Sequence, residues 1–146
     1  ELPRRIQVVL QAQQDRVATY RQFDEGLRDV FCTGNFTMYP AICAQVTATF
    51  AVLSNTVNAV RAASANSNGG DNNNATTKQL QRFLAQLQEN ERDKLNFTAA
   101  LHLEQIRLQQ SVGGGRDGDN NGSVTTTTQD MYESSIRSLR EKIGKC

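Results

Sequence analysis

The chain is poor in the residues that build metal sites and disulfide frameworks. It has no tryptophan, two prolines, one histidine and three cysteines in 146 residues. Cys32, Cys43 and Cys146 are widely spaced and match neither a zinc pattern nor a disulfide framework. We therefore expect no metal site, and free thiols in a reducing intracellular compartment, nuclear or cytoplasmic.

Long apolar runs and an excess of one charge are also lacking. No uninterrupted apolar run approaches the roughly 18 residues that a membrane span needs, and no signal-peptide pattern opens the chain. The formal net charge is +1, and residues of both signs are interspersed. This predicts a solvated helical surface, with no membrane partner and no broad nucleic-acid footprint. Because the chain begins at Glu1 and ends at Cys146 within an apolar series, we expect a fragment at both ends.

What the chain does contain is apolar residues at helical spacing, beginning near its N-terminus. Steps of four and three connect the first series: Ile6, Leu10, Gln13, Val17, Tyr20, Asp24, Leu27 and Phe31. The spacing predicts one long helix whose seam packs against another helix. Gln13 and Asp24 interrupt the apolar series, and we predict that both face solvent or a partner where the bundle is incomplete.

Similar series in the rest of the chain predict a single all-α domain. The expected helices span about 3–32, 39–63, 77–110 and 130–146, with low-complexity spacers at 64–76 and 111–129. Both spacers are rich in Asn, Gly, Ser and Thr, bury too little apolar surface to offset their ordering entropy, and are expected to be disordered. Gly34 should cap the first helix and Thr77 should begin the third. Asp130 and Glu133 should form a capping box on the fourth.

The lengths of the links predict how these helices are arranged. The short link after the first helix predicts an antiparallel helical hairpin. The third helix is longer, and the long second spacer lets the shorter fourth helix fold back on its far half. A compact four-helix bundle and a more extended coiled-coil-like array both remain open. The narrow apolar stripes, interrupted by Gln, Thr or carboxylates, favour the extended array.

The motifs that could carry chemistry are incomplete. Residues 117–122 (DGDNNG) match the first half of a calcium-binding EF-hand loop, but Thr128 stands where the bidentate glutamate belongs. The glycines at 113–115 lack the GK[ST] ending of a phosphate loop. His102 has no cysteine or second histidine near it, so a position on a helix surface or interface is expected. We expect no catalytic, metal or cofactor-binding residues and no small-molecule substrate.

The predicted fourth helix becomes basic towards its end. Arg137 and Arg140 share one helix face, and Lys145 follows them. Cations near a helix C-terminus suit the helix dipole, and these three are weak candidates for phosphate contacts. Because the overall charge is balanced and no aromatic residues are interleaved, direct nucleic-acid binding is not expected to be the main activity.

Three blocks of sequence follow one another in a characteristic order. Residues 13–31 carry the pattern R-V-x-x-Y-x-x-F-x-x-G at Arg16, Val17, Tyr20, Phe23 and Gly26. Residues 39–60 form a second block around Tyr39 and Phe50. Residues 87–103 follow the pattern L-Q-x-x-E-x-x-K-L-x-x-T-A-x-L-x-L, which includes Lys94 and Thr98. In this order and spacing, the blocks resemble the helices of the REX1-B family (required for excision 1-B).

The resemblance implies a small, non-enzymatic protein linked to DNA repair, in particular to the excision of ultraviolet-induced lesions. It carries over no catalytic residues. The candidate family-motif or partner-contact residues are Arg16, Tyr20, Phe23, Gly26, Lys94 and Thr98. We expect protein partners, with repair factors among them. The alternatives are a general coiled-coil assembly module of another complex and a direct nucleic-acid binder that uses the end of the fourth helix.

Overall fold

The computed structural model describes residues 2–66, 74–113 and 122–145, and these ranges contain helices but no strand. The helices are α1 Leu2–Thr33, α2 Tyr39–Asn66, α3 Asn74–Gly113 and α4 Gly122–Lys145, with a 3₁₀ turn at Phe36–Met38. The predicted all-α fold class is confirmed. The centres of both predicted spacers, the glycines at 114–115 and most of the EF-hand-like stretch lie outside the described residues.

The α1–α2 hairpin forms where the sequence supplies a glycine. Gly34 has a φ of +68°, the left-handed conformation that glycine adopts without strain, and this confirms the predicted cap. The backbone N–H of Asn35 then donates to Oγ1 of Thr33 at 3.3 Å. Pro40 lies in the first turn of α2, where its missing N–H costs no helical hydrogen bond. The short link turns the chain back, so that α2 packs along α1.

The buried face of α1 is offset from the predicted seam. It consists of Val9, Ala12, Arg16, Thr19, Phe23, Leu27 and Val30. Three members of the predicted seam, Ile6, Leu10 and Val17, are instead 44%, 56% and 51% exposed. The buried face carries small residues seven positions apart, at Ala12, Thr19 and Gly26, and small side chains let a neighbouring helix approach closely. At Gly26 the close approach of α2 is visible, because a Cβ there would lie 2.8 Å from Cγ2 of Ile42.

The buried face of α2 is formed by an apolar series at helical spacing. Val46, Phe50, Leu53 and Val57 are each buried against the other helices. By length and composition alone, the segment Phe36–Ala65 could cross a membrane, with a mean hydropathy of 1.4. Core helices of soluble proteins pass the same test, and 22% of this apolar window is buried in the structure.

Helix α3 is the longest element, and it carries α4. At about 1.5 Å per residue its 40 residues extend about 60 Å, against about 42 Å for the 28 residues of α2. α3 contacts both α1 and α2, whereas α4 packs mainly on α3 and buries Ile136 there. Nζ of Lys142 lies 5.5 Å from the centroid of the Phe97 ring. α4 therefore folds back on the far half of α3, as predicted, and extends a three-helix core formed by α1, α2 and α3.

Two predicted helix starts are wrong. α3 begins at Asn74 and not at Thr77, and α4 begins at Gly122 and not at Asp130. Asp130 lies well inside α4, so it cannot cap the helix with Glu133. The stretch 123–129 reads as a polar spacer by composition, but it contains neither the glycine nor the proline that would break a helix. Composition therefore underestimated the length of both helices.

Candidate functional site

Arg16 lies at the centre of a polar network that joins three helices. Its side chain on α1 is almost fully buried, with 3% of the residue exposed. Nη2 donates to Oγ of Ser54 on α2 and to Oε1 of Gln88 on α3, both at 3.0 Å. Nε2 of Gln88 donates to the Ser54 carbonyl at 2.8 Å, and Oε2 of Glu91 lies 3.7 Å from Nη1 of Arg16. We call these four residues the Arg16 network.

The Arg16 network compensates a buried charge. A guanidinium removed from water needs hydrogen-bond acceptors and an opposite charge nearby. The network supplies two acceptors to Nη2 and the carboxylate of Glu91 beside Nη1, while Nε has no hydrogen-bond partner among the described residues. The guanidinium carbon also lies 5.9 Å from the centroid of the Phe50 ring, within cation–π range. Because each of the three helices supplies at least one member, the network fixes their relative register. Arg16 is therefore a residue of the core, and the alternative that it contacts a partner is corrected.

An aromatic cluster next to this network contains the single histidine. The ring of Phe23 on α1 lies 4.3 Å from that of His102 on α3, and 6.1 Å from that of Tyr39 on α2. His102 is 1% exposed, and its Nε2 lies 3.0 Å from Oδ1 of Asp24. Burial lowers the pKa of His102 below its ordinary value of 6.5, while the hydrogen bond and charge of Asp24 oppose this shift. His102 is therefore a neutral interface residue at pH 7, in agreement with its predicted place.

The two interruptions of the predicted α1 seam have different surroundings. The side chain of Asp24 is 62% exposed while it bonds His102, which confirms that it faces solvent. Gln13 is half-buried, and its Nε2 is a buried atom with no hydrogen-bond partner among the described residues. The prediction that both residues face solvent or a partner is therefore confirmed for Asp24, whereas Gln13 does not face solvent fully.

The other family-motif residues also join helices. Nζ of Lys94 lies 4.8 Å from the centroid of the Tyr20 ring, and that ring packs at 4.6 Å on Phe50. Thr98 is 6% exposed. A Cβ on Gly26 would lie 2.8 Å from Cγ2 of Ile42, so the glycine permits the close approach of α2. These motif residues thus build the α1–α2–α3 interfaces.

Buried members of the motif cannot serve as a docking surface. Phe23 is 1% exposed, and Thr98 is buried with it. Together with Arg16 they are corrected from candidate partner contacts to core residues, because a partner could reach them only if the helices separated. Tyr20 and Lys94 are half-buried, so only their edges face outward.

A groove of about 470 Å³ lies between the end of α1, the far half of α3 and α4. We call it the α4 groove. Phe31, Leu108 and Ile136 supply its apolar lining. Its charged lining contains Arg137 and Arg140, both exposed, and also Glu133, whose carboxylate opposes their positive potential. The side chain of the third basic candidate, Lys145, lies outside the described residues. The structure thus brings two of the three candidates together, beside a carboxylate.

A second, smaller groove of about 100 Å³ lies where the start of α1, the end of α2 and the start of α3 meet. We call it the open-end groove. Its exposed surface is apolar, and its lining includes Ile6, Val9, Leu10, Val60, Leu80 and Phe83, with Arg5 beside them. Phe83 is 61% exposed. Sequence reasoning missed this groove because it placed Ile6 and Leu10 in the core; the same apolar spacing was the signal that could have found it.

The remaining polar candidates do not converge on a reactive arrangement in the described part of the chain. It contains no group of three or more His, Cys, Asp or Glu residues that could hold a metal ion. Cys32 and Cys43 are free thiols. Arg92 pairs with Glu89 at 3.7 Å on an exposed face of α3, which is the arrangement of a solvated helix surface.

Comparison with known proteins finds a family match that covers most of the three-helix core. A family model described as DNA repair REX1-B matches residues 4–105, more than two thirds of the chain. The matched span contains the Arg16 network and the aromatic cluster, and it ends before α4. No curated protein and no solved structure matches the chain.

Proposed function

Because the chain belongs to the DNA repair REX1-B family, we propose that it acts in nucleotide excision of ultraviolet-type lesions as a non-enzymatic accessory factor. In this role it works through helix-mediated contacts with other proteins, in the nucleus or the cytoplasm. It needs no cofactor and no small-molecule substrate. Direct nucleic-acid binding is not its main activity.

The observation that carries this proposal is the coincidence between the family match and the three-helix core. The match at residues 4–105 spans α1, α2 and most of α3, and its polar motif residues hold these helices together. Arg16 and His102, the side chains best suited to chemistry, are buried in structural contacts. What the core offers to solvent is its surface, which includes exposed large apolar residues such as Leu10 and Phe83. Such a surface suits a scaffold that binds proteins.

Deletion of the gene tests the repair role. Cells without it should remove ultraviolet photoproducts from their DNA more slowly than the parent strain, measured with lesion-specific antibodies over a time course after irradiation. Reintroduction of the wild-type chain should restore the rate. Normal removal kinetics in a clean deletion would contradict the proposal.

A general assembly module of a complex unrelated to repair is the second candidate, and the exposed apolar residues on several helices favour it. Affinity purification of the tagged chain, before and after irradiation, separates the two. Repair proteins among the stable partners support the accessory factor. Partners drawn only from another complex support the assembly module.

A further inference from the structure

Within the described residues, the three helix ends that meet at the open-end groove carry positive charge only; Glu1 and Asp71 are the acidic residues of the adjoining segments that the structure does not describe. Residues 2–14, 37–66 and 74–88 contain neither Asp nor Glu. The cations in these segments are Arg4, Arg5, Arg61, Lys78 and Arg82. In a chain whose net charge is only +1, this is a pronounced local excess. An anionic partner would be attracted to this end of the molecule.

One cation lines the open-end groove, and three more are sequence neighbours of residues in its lining. Arg5 lines the groove, Arg4 precedes it, Arg61 follows the lining residue Val60, and Arg82 precedes Phe83. Arginine stems can cover apolar surface while their guanidinium groups reach outward. An occupant would therefore meet apolar side chains in the recess and positive charges around it.

The spacing of the apolar lining residues in the open-end groove suits the docking of a helix. Ile6 and Leu10 are four residues apart on α1, and Leu80 and Phe83 are three apart on α3. Such residues stand one turn apart, the spacing at which the ridges of another helix fit between them. An amphipathic helix in an apolar groove is also a common mode of peptide recognition.

We propose that the open-end groove binds an acidic amphipathic helix of a partner protein. Its apolar side chains fill the part of the groove between Leu10 and Phe83, and its flanking Asp and Glu residues pair with Arg4, Arg61, Lys78 and Arg82. This inference rests on the proposed protein-contact role and names the class of partner that it requires.

Two other occupants fit the observations less well. A second copy would bring two positive ends together, and like charges repel at such an interface. A membrane surface also attracts basic and apolar residues, but a bilayer surface cannot fill a groove between helices as the side chains of a partner helix can. Both occupants give distinct outcomes in the experiment below.

A defined synthetic helix tests the proposal with the full chain. The probe is a fluorescein-labelled amphipathic peptide of about 18 residues, with Leu at i, i+3, i+4 and i+7 and Glu beside them. One twin carries Lys in place of every Glu, and another carries Ser in place of every Leu. By fluorescence anisotropy, the Glu probe should bind at least about tenfold more tightly than either twin. Its affinity should fall several-fold as salt rises from about 50 to about 500 mM.

Matched variants locate the binding site. Leu10→Gln with Phe83→Gln replaces two apolar lining residues of the open-end groove. Both residues are exposed, so we expect the double variant to fold. This double variant should weaken the Glu probe by about tenfold or more, as loss of central anchor residues does. Val52→Gln is the control, because Val52 is 64% exposed on α2 and does not line the groove. It should bind like the wild type.

The charges around the groove need a second pair of variants. Arg4→Glu with Arg82→Glu should weaken binding of the Glu probe and reduce its salt dependence, whereas Arg21→Glu, an exposed change in the second half of α1 that does not line the groove, should not. Circular dichroism melts confirm that each variant is folded.

Four outcomes would overturn the proposal. If the Lys peptide binds as tightly as the Glu probe, charge does not select the partner. If the Leu10/Phe83 variant binds the Glu probe like the wild type, the open-end groove is not the binding site. If the wild-type chain sediments with phosphatidylserine vesicles, the Leu10/Phe83 variant does not, and neither binds the peptide, the surface belongs to a membrane contact. A dimer that the same variant abolishes assigns it to a second copy. If the probe binds as expected but the gene deletion repairs normally, the repair role fails while the groove assignment stands.

Discussion

The buried guanidinium of Arg16 should matter more to stability than any exposed arginine of this chain. In Arg16→Met, the acceptors on Ser54 and Gln88 and the carboxylate of Glu91 lose their partner in the core. Breaking a buried polar network in this way costs about 3 kcal/mol. Urea denaturation should show this fall in the free energy of unfolding. The control Arg21→Met, on the exposed face of the same helix, should stay within about 0.5 kcal/mol of the wild type. An equally small effect at Arg16 would contradict the network.

Gly26 allows a prediction with a matched control on another helix. Alanine has the higher helix propensity by about 1 kcal/mol, but at Gly26 its Cβ would lie 2.8 Å from Cγ2 of Ile42, and overpacking costs about 1–3 kcal/mol. Gly26→Ala should therefore be destabilising. Gly144→Ala has nothing within 4 Å of the new Cβ and should be neutral or stabilising. Thermal melts compare the two; a stabilised Gly26→Ala would show that α2 does not approach as closely as described.

His102 should make stability depend on pH below neutrality. Burial lowers its pKa in the folded state, so below the unfolded value of 6.5 the unfolded chain binds more protons. Stability is therefore full above about pH 6.5 and falls as the pH drops towards the folded pKa. Asp24 on α1 is the charged group in contact with the ring, and Tyr39 on α2 faces it as a neutral phenol.

Because the chain has a single histidine, one NMR resonance reports its titration directly. The midpoint should lie below 6.5. Denaturation at pH 7.5 and 5.5 should show a smaller loss of stability in His102→Gln than in the wild type. A midpoint above 6.5 would mean that Asp24 outweighs burial.

At the scale of the elements, the number, order and direction of the helices follow from the sequence, but the register of α1 does not. Apolar spacing places Ile6, Leu10 and Val17 in the seam, and the spacing itself is real. The spacing cannot show that Arg16 and the small residues Ala12 and Thr19 are buried in the helix interface while these apolar side chains stay exposed. Arg16 is buried because partners on α2 and α3 meet it, and those partners lie 38 and 72 residues away. No local pattern contains that information.

The candidate sites follow the same rule. The basic end of α4 was visible in the sequence because Arg137 and Arg140 belong to one helix. The open-end groove was not, because three separate helix ends build it. Its charge could be counted along the chain, but only the meeting of Leu10 with Phe83 shows that the counted cations belong to one place.

Helix α4 should open more readily than the core on which it rests. Its packing is mainly against α3, and Ile136 is its buried apolar residue in the described part of the chain. Ile136→Ala should therefore accelerate hydrogen exchange throughout α4 and leave the protected amides of α1 and α2 unchanged. Met131→Ala, at a residue that is 66% exposed, is the control. Acceleration spread equally over all helices would mean that α4 is part of the core.

The charge distribution of the whole molecule bears on nucleic-acid binding. A net charge of +1, and a carboxylate beside Arg137 and Arg140, predict no tight complex with duplex or single-stranded DNA at about 150 mM salt. A gel-shift series across salt concentrations checks this. Tight binding that weakens steeply with salt would contradict this prediction. If the double variant Arg137→Glu with Arg140→Glu also lost that binding, the chain would be a direct nucleic-acid binder.

The Arg16 network also has a kinetic consequence. The α1–α2 hairpin closes a short loop, so it can form early, and it brings Arg16 to Ser54 before α3 arrives. At that stage the guanidinium still faces water on the side that α3 will cover. Docking of α3 dehydrates it, and Gln88 and Glu91 come with the same helix to compensate it. An α3 that docks one turn out of register should bury this cation away from its acceptors on Gln88 and Glu91, so we expect the arginine to disfavour assemblies with the wrong helix register.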